Sequence, residues 1–289
     1  MKQVVGTLAL FGALTCSLFA QERPNIIYIL CDDLGIGDVG IHHPEGKIPT
    51  PHIDRLGREG MVFTDAHANA SVCTPTRYGI LTGRYAWRSR LKRGVLGGYS
   101  KHLIEPGRLT VPSLLQQHGY HTAGIGKWHL GWDWARKSDN QKDIDYTQPI
   151  KNGPVSIGFD YFFGHAGSLD MSPYVWVENN RPTAVPDRIT VATVEEDGFS
   201  WRKGPTAPDF EHREVMDEIT DRSVARIQER ARHEQPFFLY VSYASPHAPL
   251  LPSEPFVGSS GLEHAFADFV TMNDAHVGKI VAAVEKAGI

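Results

Sequence analysis

Cys73 and Arg77 stand four residues apart in Ser71-Val72-Cys73-Thr74-Pro75-Thr76-Arg77, a spacing suited to work on a tetrahedral anion. Pro75 has no N–H to leave unpaired and its φ is already helical, so it favours a first helical turn. The chain from Thr76 to Thr82 then reads as a short helix. Cys73 therefore sits at or near a helix N-terminus, where free N–H groups and the helix dipole attract an anion. Arg77 follows one turn later on the same face and offers a planar fork to an oxyanion. A second group, Asp32-Asp33, closes the apolar run Asn25–Cys31 and opens Leu34-Gly35-Ile36-Gly37-Asp38. Adjacent carboxylates after a buried strand repel each other and lose hydration, so they require a cation. Hard oxygen ligands suit Ca²⁺ or Mg²⁺. In Lys127-Trp128-His129, alternation along an extended segment puts Lys127 and His129 on one side. His247 lies in Ser245-Pro246-His247-Ala248-Pro249.

Three strands are expected to position these groups. Asn25–Cys31 is a continuous, β-branched-rich run and reads as a central, fully buried strand. Tyr120–Lys127 reads as a second, parallel strand, after a helix from Thr110 stopped by Gly119. Phe237–Tyr243 reads as a third buried strand. The three end in Asp32/Asp33, Lys127/His129 and His247, and open α/β sheets bind ligands beyond the carboxyl ends of their strands. Further helices are expected over 51–59, with Ile53 and Leu56 inward, over 210–232, with Val215, Ile219, Val224 and Ile227 as its stripe, and over 264–286. Residues 61–67 read as a strand or extended segment, 132–146 as a polar loop at the entrance, and 173–206 as a substrate-facing insertion carrying Tyr174, Trp176 and Trp201. His52 and His67 read as structural.

The chain has 289 residues, 41% of them hydrophobic, and a net charge of −4. That suffices for one sizeable core and argues against a nucleic-acid binder that works by phosphate neutralisation. Met1-Lys2 before the apolar run Val4–Ala20, with a cleavage site ahead of Gln21, reads as a secretory signal peptide over 1–20. No second run is long enough to cross a bilayer, so an exported protein, periplasmic or secreted, without a stable membrane partner is expected. Beyond the signal peptide two cysteines remain; Cys31 reads as a small core hydrophobe. A disulfide between them would consume the thiol that the Cys73–Arg77 segment presents.

Six segments together resemble the sulfatase family. They are C-x-P-x-R with Thr82-Gly83-Arg84, D-D-x-G-x-G-D from Asp32, P-x-I-D-x-L from Pro51, G-K-W-H-L-G from Gly126, G-F-D-x-F-x-G from Gly158, and S-x-P-H-x-P around His247. The resemblance implies an α/β fold, alkaline-phosphatase-like, with a central, mostly parallel sheet flanked by helices. It implies hydrolysis of aryl or carbohydrate sulfate esters by formylglycine made from Cys73, whose hydrate attacks sulfur. Asp32, Asp33 and the modified Cys73 are then the metal ligands, for Ca²⁺ with Mg²⁺ as the alternative. Arg77 and Lys127 stabilise developing charge; His129 and His247 move protons. Lys127, His247 and Ser168 (or His165) touch the sulfate. The implied partners are a sulfated small molecule or glycan and a formylglycine-generating or sulfatase-maturating enzyme.

In the family the last helix is followed by a strand ending in an Asp-Asn pair that completes the metal site, then by a smaller domain. No such pair follows His247. Residues 21–289 are therefore expected to form a sulfatase N-terminal catalytic domain, truncated before its C-terminal part, inactive alone and with an apolar sheet edge exposed. The rival readings are a phosphate or phosphonate ester hydrolase of the same superfamily and an inactive fragment that binds sulfated glycans.

Overall fold

The computed structural model describes residues 23–194 and 200–289; the expected signal peptide lies outside them. Five strands, β1 (Ile26–Asp32), β2 (His121–Lys127), β3 (Tyr161–His165), β4 (Val177–Glu178) and β5 (Arg181–Pro182), are joined by the late strand β10 (Phe237–Pro246) in one sheet ordered β1-β10-β2-β3-β4-β5. The first four in that order run parallel, and β4 and β5 run antiparallel. Two small antiparallel pairs, β6 (Arg188–Thr190) with β9 (Gly204–Thr206) and β7 (Thr193–Val194) with β8 (Ser200–Trp201), lie outside it.

β10 is the strand buried on both faces. Phe237, Leu239, Val241 and Tyr243 pack into one core with helices α4 (Val215–Arg230) and α5 (Ala265–Ala287). Phe238 and Tyr240 pack into a second core with Tyr78 and Leu81 of α2 (Cys73–Thr82), which lies on the other face near α3 (Val111–Gln117). This alternation is the period-2 geometry of a strand covered on both sides.

The Asn25–Cys31 run is a strand, but an edge strand. β1 pairs only with β10 among the described residues, and Tyr28 is 41% exposed. A continuous apolar run reports two partly covered faces and says nothing about the number of neighbouring strands. Other expectations also change. Leu56, in α1 (Pro51–Glu59), is exposed, and of the two readings of residues 61–67, strand or extended segment, the strand is not formed. α4 begins at Val215, because Phe210 packs into the core and a 3₁₀ turn covers His212–Glu214. Residues 132–146 form no named strand or helix, as expected of a loop, but Trp132, Trp134 and Ile144 within them are buried core. Tyr174 and Trp176 are buried as well, and Trp201 is half-buried and stacks on His212; the aromatics of 173–206 therefore serve packing.

The C-terminal ends of the central strands are tied to the helices behind them. Asp274 of α5 accepts from the backbone N–H groups of His52 and Ile53, capping α1. The neighbouring Asn273 pairs with Ser245 at the end of β10. Cys31 and Cys73 are both free thiols, so no disulfide consumes Cys73.

Burial pushes His165 down to about 3, and His212 and His276 down to about 4. Each has an Nε2 without a hydrogen-bond partner, that of His276 lying 3.7 Å from Asp217 Oδ1. Folded values below the ordinary one mean that, as pH falls below about 6.5, the unfolded chain takes up protons the folded chain refuses. Stability is therefore expected to hold above that pH and to decline steadily towards pH 4. Urea unfolding midpoints across this range check it. In His165→Phe and His212→Phe the decline should be shallower, and an unaltered slope would refute the assignment.

Candidate active site

Asp32, Asp33, Cys73 and Arg77 line one cavity of about 390 Å³, walled also by Ala70, Val72 and Thr76. It opens at the carboxyl ends of β1 and β10, whose register pairs Asp32 with Pro246. α2 starts at Cys73 and is stopped by Gly83 in the left-handed region (φ 65). The thiol thus sits in the first turn of a ten-residue helix, 6% exposed, where the positive end of the dipole acts.

Beneath it, Arg77 is 1% exposed, with both terminal nitrogens engaged and its Nε without a hydrogen-bond partner. It donates to Asp32 Oδ2 at 3.1 Å, to the Lys127 carbonyl at 2.8 Å, to the Tyr243 carbonyl at 3.4 Å and to Ser242 Oγ. Ser242 Oγ also donates to the Lys127 carbonyl at 2.8 Å. Lys127 Nζ is fully buried, pairs with Asp32 and lies 3.4 Å from Cys73 Sγ. Burial alone would raise the Asp32 carboxyl; the charges of Lys127 and Arg77 outweigh it and hold the group well below the usual carboxylate range. Gly126, with φ 112, permits this crossing, since a side chain there would collide with the Ser242 carbonyl.

Asp33 differs from its neighbour. Its backbone is left-handed (φ 61) and its side chain is 44% exposed. Burial and then the Asp32 charge push its carboxyl up. His247 Nε2 lies 3.6 Å from Asp33 Oδ2, and hydrogen bonding to Cys73 pushes the imidazole up against the effect of burial. Asp33, Cys73 and His247 offer ligand atoms that all lie within 4.8 Å of one another. Asp32, expected beside Asp33 as a ligand, has its Oδ2 engaged by Lys127 and Arg77 in the same cavity. Two carboxylates on one cavity, beside residue 73, form an oxygen-rich donor set that fits a hard divalent cation.

His129 reaches the site by a different route from alternation. β2 ends at Lys127, and His129 has a left-handed backbone (φ 52). Thr74 Oγ1 donates to the His129 carbonyl at 2.9 Å and accepts from the Leu96 N–H at 3.1 Å, pinning this turn to α2. The His129 ring is fully buried, with Nε2 2.6 Å from the Leu96 carbonyl and Nδ1 unpartnered. Burial, then the Lys127 charge, push the imidazole well below its ordinary value. It is neutral, Nε2 carries the proton donated to Leu96, and Nδ1 is left as an acceptor.

Ser168 is buried with an unpartnered hydroxyl, and joins none of the contacts that link Asp32, Cys73, Arg77 and Lys127. His165 packs edge-on against Trp176 and Phe210. Ser242 and Thr74 were not singled out in the sequence. Ser242 could have been, as the polar position in an otherwise apolar strand; Thr74 carries no such signal.

The family profile described as Sulfatase matches residues 24–289. The chain is 33% identical to an N-acetylgalactosamine-6-O-sulfatase of Bacteroides thetaiotaomicron over 92% of its own length and 56% of that protein's. It is 32% identical to arylsulfatase A of Bos taurus over 96% of its length and 52% of the relative's. A structure solved in a study of how Bacteroides thetaiotaomicron metabolises multiple glycosaminoglycans superposes with a TM-score of 0.80 at 32% identity, covering 92% of this chain and 60% of that one. The chain thus spans little more than half the length of the curated relatives it matches.

Proposed function

We propose that this chain, which belongs to the sulfatase family, supplies the N-terminal catalytic domain of an exported enzyme that hydrolyses aryl or carbohydrate sulfate esters. One observation carries the reading: a thiol at a helix N-terminus lines one cavity with two carboxylates and a guanidinium, and lies 3.4 Å from a buried ammonium. Formylglycine made from Cys73 by a maturation enzyme would supply a hydrated aldehyde as the nucleophile. A cation, Ca²⁺ or Mg²⁺, held by Asp32, Asp33 and residue 73 would supply Lewis-acid polarisation of the sulfate.

The chain's own residues divide the remaining work. Lys127 and Arg77 place two fixed, buried positive charges where negative charge develops. Their contacts with Asp32, Ser242 and the strand carbonyls hold them there without reorganisation. His129, neutral with a free Nδ1, is suited to accept a proton when the hydrate collapses and sulfate leaves. His247, half-buried and 3.6 Å from Asp33, is suited to donate one to the departing oxygen. Ser168 is offered as a further sulfate contact through its unpartnered hydroxyl.

Matched 4-nitrophenyl sulfate and 4-nitrophenyl phosphate test the reading on the matured protein, extended to the length of its relatives. Sulfate is expected to be preferred by at least roughly a hundredfold in kcat/KM, about 2.7 kcal/mol in the transition state. Preference for phosphate would replace it with the phosphatase alternative. Stripping the protein with a chelator is expected to lower activity by roughly two orders of magnitude or more and to be reversed by Ca²⁺ or Mg²⁺. Full activity in excess chelator would remove Asp32 and Asp33 from the metal role.

A further inference from the structure

Residues 84–101 carry Arg84, Arg88, Arg90, Lys92, Arg93 and Lys101 and no Asp or Glu, in a chain whose net charge is −4. None of these six is ion-paired among the described residues, although Arg55, Arg108, Arg222 and Arg226 all are. On the same segment Tyr85 and Trp87 stand 52% and 56% exposed. Their rings stack at 5.8 Å with an interplanar angle of 13°, and the Arg88 guanidinium lies 5.1 Å from the Trp87 ring centre.

The surface is ordered before any ligand arrives. A 3₁₀ turn, Ala86–Arg88, is closed by Ser89 Oγ on the Ala86 carbonyl at 2.6 Å. Lys92 Nζ donates to the Trp87 carbonyl at 2.9 Å. Arg90 donates to the carbonyls of Lys101 and His102, tying the middle of the segment to its C-terminal end. Binding here therefore costs little ordering entropy.

Its position ties it to the reacting centre. A cavity of about 160 Å³ is lined by Asn69, Pro75, Trp87, Lys92 and Arg93 and by Ala70 and Val72. Ala70 and Val72 also wall the cavity that contains Cys73. A ligand held at Cys73 and continuing over the exposed Val72 reaches an aromatic face and a row of cations. An aromatic face suits the apolar face of a pyranose ring, and unpaired guanidinium groups suit repeated sulfate or carboxylate groups.

We infer that residues 84–101 bind the part of an anionic glycan chain that flanks the reacting ester, so that the enzyme prefers sulfated oligosaccharides to isolated sulfate esters. The inference rests on the proposed sulfatase reading for the substrate at Cys73, and its binding test does not need turnover. Fluorescent chondroitin sulfate and heparin hexasaccharides are titrated into the full-length Cys73→Ala protein. At least one is expected to bind, and Trp87→Ala or the pair Arg88→Glu/Arg93→Glu to weaken it roughly tenfold or more. Arg88→Lys/Arg93→Lys, which keeps the charge, should stay within about threefold. In the matured enzyme the same losses should appear in kcat/KM for the hexasaccharide, with 4-nitrophenyl sulfate hydrolysis changed less than about twofold.

Affinity within twofold of the parent in both Trp87→Ala and the charge-reversed pair would overturn the inference. So would the absence of binding to either hexasaccharide, or equal affinity for duplex DNA or phosphatidylserine vesicles. A protein that binds as expected yet hydrolyses no sulfate ester refutes the sulfatase reading and leaves the glycan surface standing.

Discussion

In the matured protein, extended to the length of its relatives, replacing Cys73 with alanine is expected to lower the proposed sulfate ester hydrolysis by roughly four orders of magnitude or more, to the level left by positioning and charge alone. The fold should survive the change. Cys73 is buried at the first position of α2, and alanine is the best helix former. The thiol's contacts are with Lys127 Nζ, at 3.4 Å, and His247. Lys127 retains Asp32 after the substitution. The thermal midpoint should therefore move by no more than about 5 °C, the equivalent of one to two kcal/mol. Turnover of 4-nitrophenyl sulfate and the melting curve, measured on one preparation, separate chemistry from folding. Residual activity above about one per cent of the parent would mean that residue 73 is not the nucleophile.

The second large effect falls on stability and activity together. Arg77 is a buried hub: its side chain meets Asp32, Ser242 and the carbonyls of Lys127 and Tyr243, from three strands. Arg77→Ala leaves the Asp32 carboxylate with Lys127 alone, strips two carbonyls of a donor and opens a cavity. Breaking a buried charge pair from one side costs about 3–5 kcal/mol. For a domain of this size the thermal midpoint should fall on the order of 10 °C. Activity should fall by roughly a hundredfold or more, because one of two fixed positive charges is gone. Arg77→Lys keeps the charge and loses the planar fork, so it should recover part of the stability and little of the rate. A midpoint within about 2 °C of the parent for Arg77→Ala would show that the hub contributes no net stability.

The sequence made some parts legible because their physics is local. Cys73 and Arg77 lie within one helix, so spacing alone gives their common face, and α2 starts at Cys73. β2, β10 and α5 announce themselves by apolar runs and stops, and α5 begins and ends within a residue of its expected bounds. Side chains from the three strand ends come together, Lys127 on Asp32 and Cys73, and His247 beside Asp33. Other features depend on partners far along the chain. That β10 rather than β1 takes the doubly covered place is decided by pairing, which an apolar run does not encode. His129 reaches the site through a left-handed turn pinned by Thr74, so strict alternation fails there. The polar character of 132–146 concealed Trp132 and Trp134, which continue the alternation of Trp128 and Leu130 and fill the second core. Asp32 and Asp33 are neighbours in sequence, yet one is locked in a buried cluster and the other stands half-exposed. That division comes from where Lys127 and Arg77 lie.

The central claim is that residue 73 works as an aldehyde rather than as a thiol. Peptide mass spectrometry tests it most directly, on the protein extended past Ile289 and produced together with a formylglycine-generating enzyme. The account predicts that the peptide carrying residue 73 is lighter than the encoded one by about 18 Da, with the aldehyde reacting with a hydrazide probe. An encoded mass and an alkylatable thiol at Cys73, in protein that nonetheless hydrolyses sulfate esters, would contradict it.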